Sequence, residues 1–134
     1  KLTDTRISKM AADMIVPFDQ LANMMRLFQE WFADAGLEYA IWGHASDGNM
    51  HPNVLPRSYD EYLLAQKIIL DCGRGVIAMG GSPLAEHGVG KNKIKQALLL
   101  MLYGEEGIDQ MRKIKQGFDP NWKLAPGNLF PKPK

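Results

Sequence analysis

The spacing of apolar residues along the chain predicts its first two helices. Between positions 21 and 35 apolar residues recur at intervals of three and four, which is typical of an amphipathic helix. Asp19 stands near the start of this helix and Gly36 marks its end. The segment Ser58-Tyr-Asp-Glu61 fits a capping box, and an apolar stripe continues from it to Val76. We therefore expect a second helix over this stretch.

Three segments predict strands. Residues 7–17 mix β-branched and apolar residues and end at a proline, and residues 39–45 and 49–55 flank Asp47-Gly48. An Asp-Gly pair is among the strongest signals for a two-residue hairpin. A short hairpin favours an antiparallel or mixed sheet, and together with the helices it favours an α+β fold. Residues 76–79 fit either a strand or the end of a helix.

The second half of the chain is richer in glycine and proline. Residues 80–90 form a loop with too many glycines for regular structure. Two further helices are predicted over residues 93–102 and 105–116, and three prolines predict an extended surface segment over residues 122–134. Neither a dinucleotide-binding glycine pattern nor a Walker loop follows a strand.

Composition limits the possible functions. A length of 134 residues suits one compact domain, and a net charge of +1 gives no electrostatic footprint for nucleic acid or an anionic membrane. The longest apolar run, residues 97–103, is far shorter than the ~20 residues of a membrane helix. The single cysteine, Cys72, has the spacing of a buried structural thiol and suits a reducing, cytoplasmic location. Because the chain lacks an initiator Met, we expect that residue 1 is not the natural start.

Two of the three histidines lie on either side of the predicted turn. If Asp47 and Gly48 form a type I′ turn, His44 faces His51 across the hairpin, on the sheet face that also carries Trp42 and Asn53. Directly opposed Cβ atoms lie ~4.5–5.5 Å apart, so both imidazoles can reach one metal ion. A longer loop would remove the strict opposition but could still bring the two histidines close.

The glycine-rich loop carries two residues that could complete a metal site with this pair. His87 stands beside Glu86 in the glycine-rich loop, and two imidazoles with one carboxylate are a common three-ligand set with open positions for substrate. Because Glu86 and His87 are adjacent, one could bind the metal and the other could act as a base. An imidazole suits proton abstraction at neutral pH. The alternative is a set of structural histidines that are satisfied by backbone hydrogen bonds.

Three segments together resemble a known family. The segments GHASDGNMHPN (43–53), GGSPLAEHGVGKNK (80–93) and MRKIKQGFDPNWKLAPGNLF (111–130) resemble, in order and spacing, motifs of the C-terminal domain of FAD-linked oxidases. The strand DMIVP (13–17) resembles that family's "D..VP" strand. This family lies in the vanillyl-alcohol oxidase superfamily and includes the glycolate oxidase flavin subunit and D-lactate dehydrogenases.

The resemblance implies a fold, an activity and residue roles. Residues 1–134 would be the C-terminal part of a ferredoxin-like α+β substrate (cap) domain, with the N-terminal FAD-binding domain absent from this chain. The enzyme would oxidise a D-2-hydroxy acid to a 2-oxo acid, with FAD as hydride acceptor. His44, His51 and Glu86 would bind a divalent metal, zinc or manganese, Asn53 would hydrogen-bond the substrate, and His87 would accept the hydroxyl proton.

The chain departs from the family pattern at Ser46 and Ala125, and the resemblance has two consequences for a fragment. Ser46 replaces a glycine of the hairpin, and Ala125 replaces an asparagine of the closing turn, which weakens any side-chain contact to FAD from that turn. A fragment would expose a sheet edge or face that its missing half covers, so we expect self-association. The fragment alone should be inactive because it lacks the hydride acceptor.

Two other functions remain open from the residues. A small metal-dependent hydrolase would use Glu86 or His87 to activate a bound water. A non-catalytic ligand-binding or oligomerisation domain would keep the histidines as structural residues. Hydrolysis of esters or amides without flavin would indicate the first, and a less than stoichiometric content of divalent metal, unaffected by His51→Ala, would indicate the second.

Overall fold

A computed structural model describes residues 4–130. The chain divides into two compact units, Lys1–His87 and Gly88–Lys134. Within residues 4–130, the first unit holds four strands and two α-helices, and the second holds one long helical element. The α+β class predicted from the sequence is confirmed. Among the described helices, none combines the length and the apolar character that a membrane crossing requires.

The sheet of the first unit is antiparallel and is built around one central strand. Strand β4 (Asn49–Val54) pairs with β3 (Tyr39–His44) on one side. On its other side it pairs with two short strands, β1 (Met10–Ala11) and β2 (Met14–Ile15). Every residue of β4 is buried, because it has neighbours on both edges.

The strand predicted over residues 7–17 is present only as its two short pieces. Between them, the Ala12 amide donates to the carbonyl oxygen of Pro52 over 3.0 Å. Proline has no N–H and cannot return the second hydrogen bond of that antiparallel pair. The interruption therefore coincides with the one position of β4 that lacks a donor.

Two helices complete the first unit and form its apolar core. Helix α1 (Leu21–Asp34) and helix α2 (Tyr59–Ala78) pack on each other, and α2 also contacts β1 and β2. The Ser58 hydroxyl accepts from the Glu61 amide, as the capping box predicts, and α2 continues through residues 76–78, so that segment is helical. The most deeply buried side chains are Met14, Met24, Phe28, Phe32, Val54, Ile69, Cys72 and Val76.

The single cysteine is a structural thiol, as predicted. Cys72 is fully buried on α2, and burial raises the pKa of its thiol to about 12. A thiol with that pKa carries almost no thiolate at neutral pH, so it is a poor nucleophile.

The predicted two-residue turn at Asp47-Gly48 is wrong. A short 3₁₀ helix, Ala45–Asp47, connects the strands, and only Gly48 has the positive φ (73°) that a type I′ turn would require of Asp47 as well. The Gly48 amide closes this loop on the Ala45 carbonyl oxygen. As a result His44 pairs with Asn49, whereas His51 pairs with Trp42.

The second unit is dominated by α3 (Lys93–Phe118). The Asn92 side chain caps it by accepting from the Ile94 and Lys95 amides, and Gly104 (φ 66°, ψ 175°) interrupts it, in agreement with the two helices predicted there. No helix or strand follows α3 within the described residues. The prediction of an extended surface segment is wrong for residues 122–130, because Trp122, Ala125 and Leu129 have positive φ and the side chains of Trp122 and Phe130 are buried. Residues 131–134 lie outside the described part of the chain. Ala125 has φ 42°, a left-handed conformation that suits asparagine better than alanine.

The connection between β3 and β4 offers a test of the fold. Gly36 and Gly48 both have positive φ, but a Cβ would meet open space at Gly36 and the Val16 carbonyl oxygen at Gly48. We expect Gly36→Ala to lower the free energy of unfolding by about 1–2 kcal/mol, and Gly48→Ala to lower it by about 1–3 kcal/mol more. Urea unfolding at 25 °C measures both. Equal losses in the two variants would contradict the close approach of Gly48 to Val16.

Candidate metal centre

One face of β4 carries the polar residues of the candidate site. Alternation along the strand places Asn49, His51 and Asn53 on this face, and all three are buried. His44 of β3 lies across from Asn49 on the same face. The actual loop is two residues longer than the predicted turn, and a register shift of two keeps every side chain on its face. The predicted grouping of His44, His51 and Asn53 is therefore present despite the wrong turn.

Asp13 belongs to the same face on the other side of β4. The flanking pairs Ala11–Asn53 and Met14–Met50 place Asp13 opposite His51. Its carboxylate is buried, and Oδ1 accepts from Asn49 Nδ2 at 2.9 Å. Sequence reasoning noted Asp13 only as part of a strand motif. The available signal was a lone carboxylate in an otherwise apolar strand.

The loop that carries Glu86 and His87 is hydrogen-bonded to this same edge. Ser82 exchanges two backbone hydrogen bonds with Ile15, and the Ala85 amide donates to the Asp13 carbonyl oxygen at 3.1 Å. The amides of Glu86 and His87 both donate to Asp13 Oδ2, at 2.8 and 2.6 Å. The glycine-rich loop is thus held against the sheet face that carries His51.

All three histidines converge on the Glu86 carboxylate. The Nε2 atoms of His44, His51 and His87 lie 3.2, 3.3 and 3.2 Å from Glu86 Oε1. Ligand atoms that bind one ion tetrahedrally at ~2.0–2.1 Å are about 3.3–3.4 Å apart. The donor atoms of His44, His51 and Glu86 also lie within 4.8 Å of one another. The predicted ligand set therefore has the spacing and the donor types of a divalent metal site.

The site has a buried wall and an open side. The His51 side chain is 6% exposed, whereas those of His44, Glu86 and His87 are 57, 47 and 55% exposed. The rings of His51 and His87 stack with centroids 4.5 Å apart. An ion held here would keep coordination positions on the exposed side, where a small molecule can reach it.

A second donor group, Asp13 with His51 and His87, has similar spacing but different chemistry. Burial by itself would raise the pKa of Asp13, but hydrogen bonds from the His87 amide, Asn49 and the Glu86 amide outweigh it and lower the pKa below its usual value. Both oxygens of the resulting carboxylate already accept hydrogen bonds. These three hydrogen bonds use most of the roughly four acceptor positions of the carboxylate, so Asp13 is less available to an ion than Glu86 is.

The surroundings of the buried nitrogen of His51, Nδ1, also support a role for His51 as a ligand and for Asp13 as its hydrogen-bond acceptor. His51 Nδ1 is buried without a hydrogen-bond partner and lies 3.5 Å from Asp13 Oδ1. A histidine that binds metal through one nitrogen commonly donates the other N–H to a carboxylate. Nε2 faces Glu86 and Nδ1 has Asp13 as its nearest carboxylate, so His51 fits the role of a ligand.

Asn53 lies on the same sheet face as His51, and His87 lies next to the candidate ligand Glu86, as expected from the sequence. Asn53 is buried on the face of His51, and its Nδ2 donates to the His51 carbonyl oxygen at 2.7 Å. His87 is exposed beside Glu86. Their predicted roles, substrate binding and proton acceptance, remain predictions.

Fold and site together define an α+β domain with an open three-histidine, one-carboxylate centre on a sheet face. Residues 2–129 match the family described as FAD linked oxidases, C-terminal domain. The chain belongs to this family. The resemblance noted from its sequence motifs is confirmed.

Several curated proteins align with most of the chain. It is 35% identical over 122 residues to glycolate oxidase subunit GlcD of Bacillus subtilis (strain 168), covering 90% of this chain and 26% of that protein. It is 31% identical over 124 residues to the mitochondrial D-lactate dehydrogenase [cytochrome] of Arabidopsis thaliana, covering 91% and 22%. It is 30% identical over 123 residues to D-2-hydroxyglutarate dehydrogenase of Escherichia coli (strain K12), covering 90% and 12%. The chain thus spans about a quarter or less of the length of these relatives.

The unequal burial of the two strand histidines predicts unequal effects on stability. We expect His51→Ala to lower the free energy of unfolding by about 1–3 kcal/mol, because it empties a buried position. His44→Ala serves as the matched control and should change it by no more than about 0.5 kcal/mol. Urea unfolding in a chelating buffer, which removes any contribution from metal, measures both. A larger loss for His44→Ala would be incompatible with the burial described here.

Proposed function

We propose that this chain is the C-terminal part of the substrate domain of a flavin-dependent enzyme that oxidises a D-2-hydroxy acid to a 2-oxo acid. Membership of the FAD-linked oxidase family supports the reaction class. The relatives are named for glycolate, D-lactate and D-2-hydroxyglutarate, which share a hydroxyl group next to a carboxylate. The observation that carries the proposal is the convergence of three imidazoles on Glu86 Oε1.

The proposal assigns the two kinds of cofactor to different parts of the protein. No side chain of this chain can accept a hydride, so FAD, held mainly by a region N-terminal to this chain, would supply that chemistry. His44, His51 and Glu86 would hold a divalent ion, with zinc or manganese suited to two nitrogens and one oxygen. Such an ion, when bound, supplies a positive charge that orients the substrate's hydroxyl and carboxylate and favours loss of the hydroxyl proton.

The residues beside the ligands would handle the substrate. His87 Nε2 lies 3.2 Å from the carboxylate oxygen assigned to the metal and is solvent-exposed, so this imidazole can take the hydroxyl proton of a substrate bound there. Asn53 uses one N–H on the His51 carbonyl oxygen, which leaves its second N–H and its Oδ1 for hydrogen bonds to the substrate. Because Glu86 and His87 are adjacent, one backbone segment positions both the ligand and the base.

Two further parts of the proposal concern the chain as a fragment. Exposed aromatic side chains such as Phe18 and Trp42 are consistent with self-association in the absence of the N-terminal region. We propose a cytoplasmic location on the basis of a single, buried free thiol, which suits a reducing compartment.

Proton acceptance by His87 can be tested in the protein extended by its N-terminal region. We expect that protein to carry FAD, and His87→Ala to lower kcat on a 2-hydroxy acid by about 10²–10⁴-fold with an unchanged flavin absorbance spectrum. Lys91→Ala, which alters an exposed cation four residues further on, is the control and should retain turnover. Undiminished turnover in His87→Ala would overturn the assignment of the base, and the absence of flavin would overturn the proposed function.

Metal binding can be tested on the 134-residue chain itself. We expect about one divalent ion per chain after dialysis, measured by elemental analysis, and a loss of that ion in Glu86→Gln or His51→Ala because each removes one of three protein ligands. Glu106→Gln, an exposed carboxylate of α3, is the control. A metal content well below one that His51→Ala leaves unchanged would instead favour purely structural histidines.

A further inference from the structure

Asp13 joins three segments of the first unit through one carboxylate. Its Oδ1 accepts from Asn49 Nδ2 on the central strand, and its Oδ2 accepts from the amides of Glu86 and His87 in the glycine-rich loop. The partners lie 36, 73 and 74 residues away in sequence. All three are donors, so the group that they surround must be an acceptor on both of its oxygens.

The start of the loop is anchored by β-bridges of Ser82 to Ile15 and of Leu84 to Asp13. Beyond these bridges, the three consecutive amides of residues 85–87 all donate to residue 13, through its carbonyl oxygen or its Oδ2. His51 lies opposite Asp13 on β4, with 3.5 Å between Nδ1 and Oδ1. The position of Glu86 relative to His51 therefore depends on the Asp13 carboxylate.

We propose that Asp13 is the positioning residue of the centre: it fixes the Glu86–His87 peptide against β4 and so holds the Glu86 carboxylate at ion-binding distance from His44 and His51. This inference rests on the metal role proposed for Glu86. It assigns Asp13 no contact with substrate or ion. It also gives the carboxylate a second role, since Oδ1 lies 3.5 Å from His51 Nδ1 and would accept from the Nδ1–H of a metal-bound His51.

An asparagine cannot replace this carboxylate, although it has the same shape. An amide offers one acceptor oxygen and one donor nitrogen. With its oxygen toward the loop amides, its NH₂ would face the Asn49 NH₂ and the Nδ1–H of His51. With its NH₂ toward the loop, it would face two backbone N–H groups. The first orientation keeps the loop hydrogen bonds but leaves buried donors opposed at Asn49 and His51, and the second removes the loop hydrogen bonds, so neither reproduces the native arrangement.

The test is a titration of the 134-residue chain with Co²⁺, followed by visible absorption. We expect Asp13→Asn to raise the Kd for Co²⁺ by about 10–100-fold and to change the shape of the Co²⁺ bands, because Glu86 no longer completes the ligand set. The matched control is Asp119→Asn: Asp119 likewise accepts two backbone amides, those of Lys123 and Leu124, but within the second unit. It should lower thermal stability while leaving the Kd unchanged.

A second measurement uses the unaltered chain and does not depend on whether a variant folds. The Glu86 and His87 amides should exchange with deuterium far more slowly than in an unstructured chain, although His87 is exposed, and Asp13→Asn should accelerate these two.

Each outcome decides for or against the inference. Rapid exchange of these two amides in the unaltered chain would overturn it, and so would an Asp13→Asn variant with the original Kd and spectrum. If Asp119→Asn raised the Kd for Co²⁺ as much as Asp13→Asn does, the effect would come from a general loss of stability, and the inference would be overturned. If the extended protein lacks flavin or turnover while Asp13→Asn still raises the Kd, the proposed function fails and the positioning role stands.

Discussion

The pairing of β4 with a neighbour on each side is the constraint on which the candidate site depends. Side chains alternate along a strand, so residues 49, 51 and 53 of β4 share one face, and pairing on both edges gives that face a neighbour on each side. The same ladders bring His44 from one edge and Asp13 from the other to that face. No single segment contains the whole centre, and a one-residue slip of either ladder would turn its contribution toward the apolar core.

Much of the fold could be predicted because its signals are local. Apolar spacing and the Ser58 cap fix the helices, and Gly104 marks the break inside α3. The type of turn could not be predicted in the same way, since Asp47 takes a right-handed conformation in a four-residue connection. The wrong turn did not change which residues share the site face, because it shifted the register by two residues, which leaves every side chain on its face. The interruption at Ala12 also escaped prediction, since it depends on Pro52 in a strand that is distant in sequence.

The part of the candidate site that consists of potential metal ligands could be predicted from the sequence. Three histidines and one glutamate in two glycine-containing motifs are visible in the sequence, and the structure brings all four together. The role of Asp13 was not visible, because its partners are two backbone amides and an asparagine that become neighbours only through folding. Local sequence patterns do not reveal a residue that accepts hydrogen bonds from distant parts of the chain. The one local sign here is a charged residue, Asp13, in a strand that is otherwise apolar.

The arrangement divides the centre into a fixed part and an accessible part. His51, Asn49 and Asp13 are buried on the sheet, whereas the other two imidazoles and Glu86 reach solvent. Glu86 spans both parts: its amide is tied to the buried carboxylate and its own carboxylate meets the exposed imidazoles. Because the next amide in the chain, that of His87, donates to the same oxygen, the backbone of the proposed ligand and that of the proposed base are held at one point. A shift of this segment would therefore weaken the proposed ion binding and misplace the proposed base together.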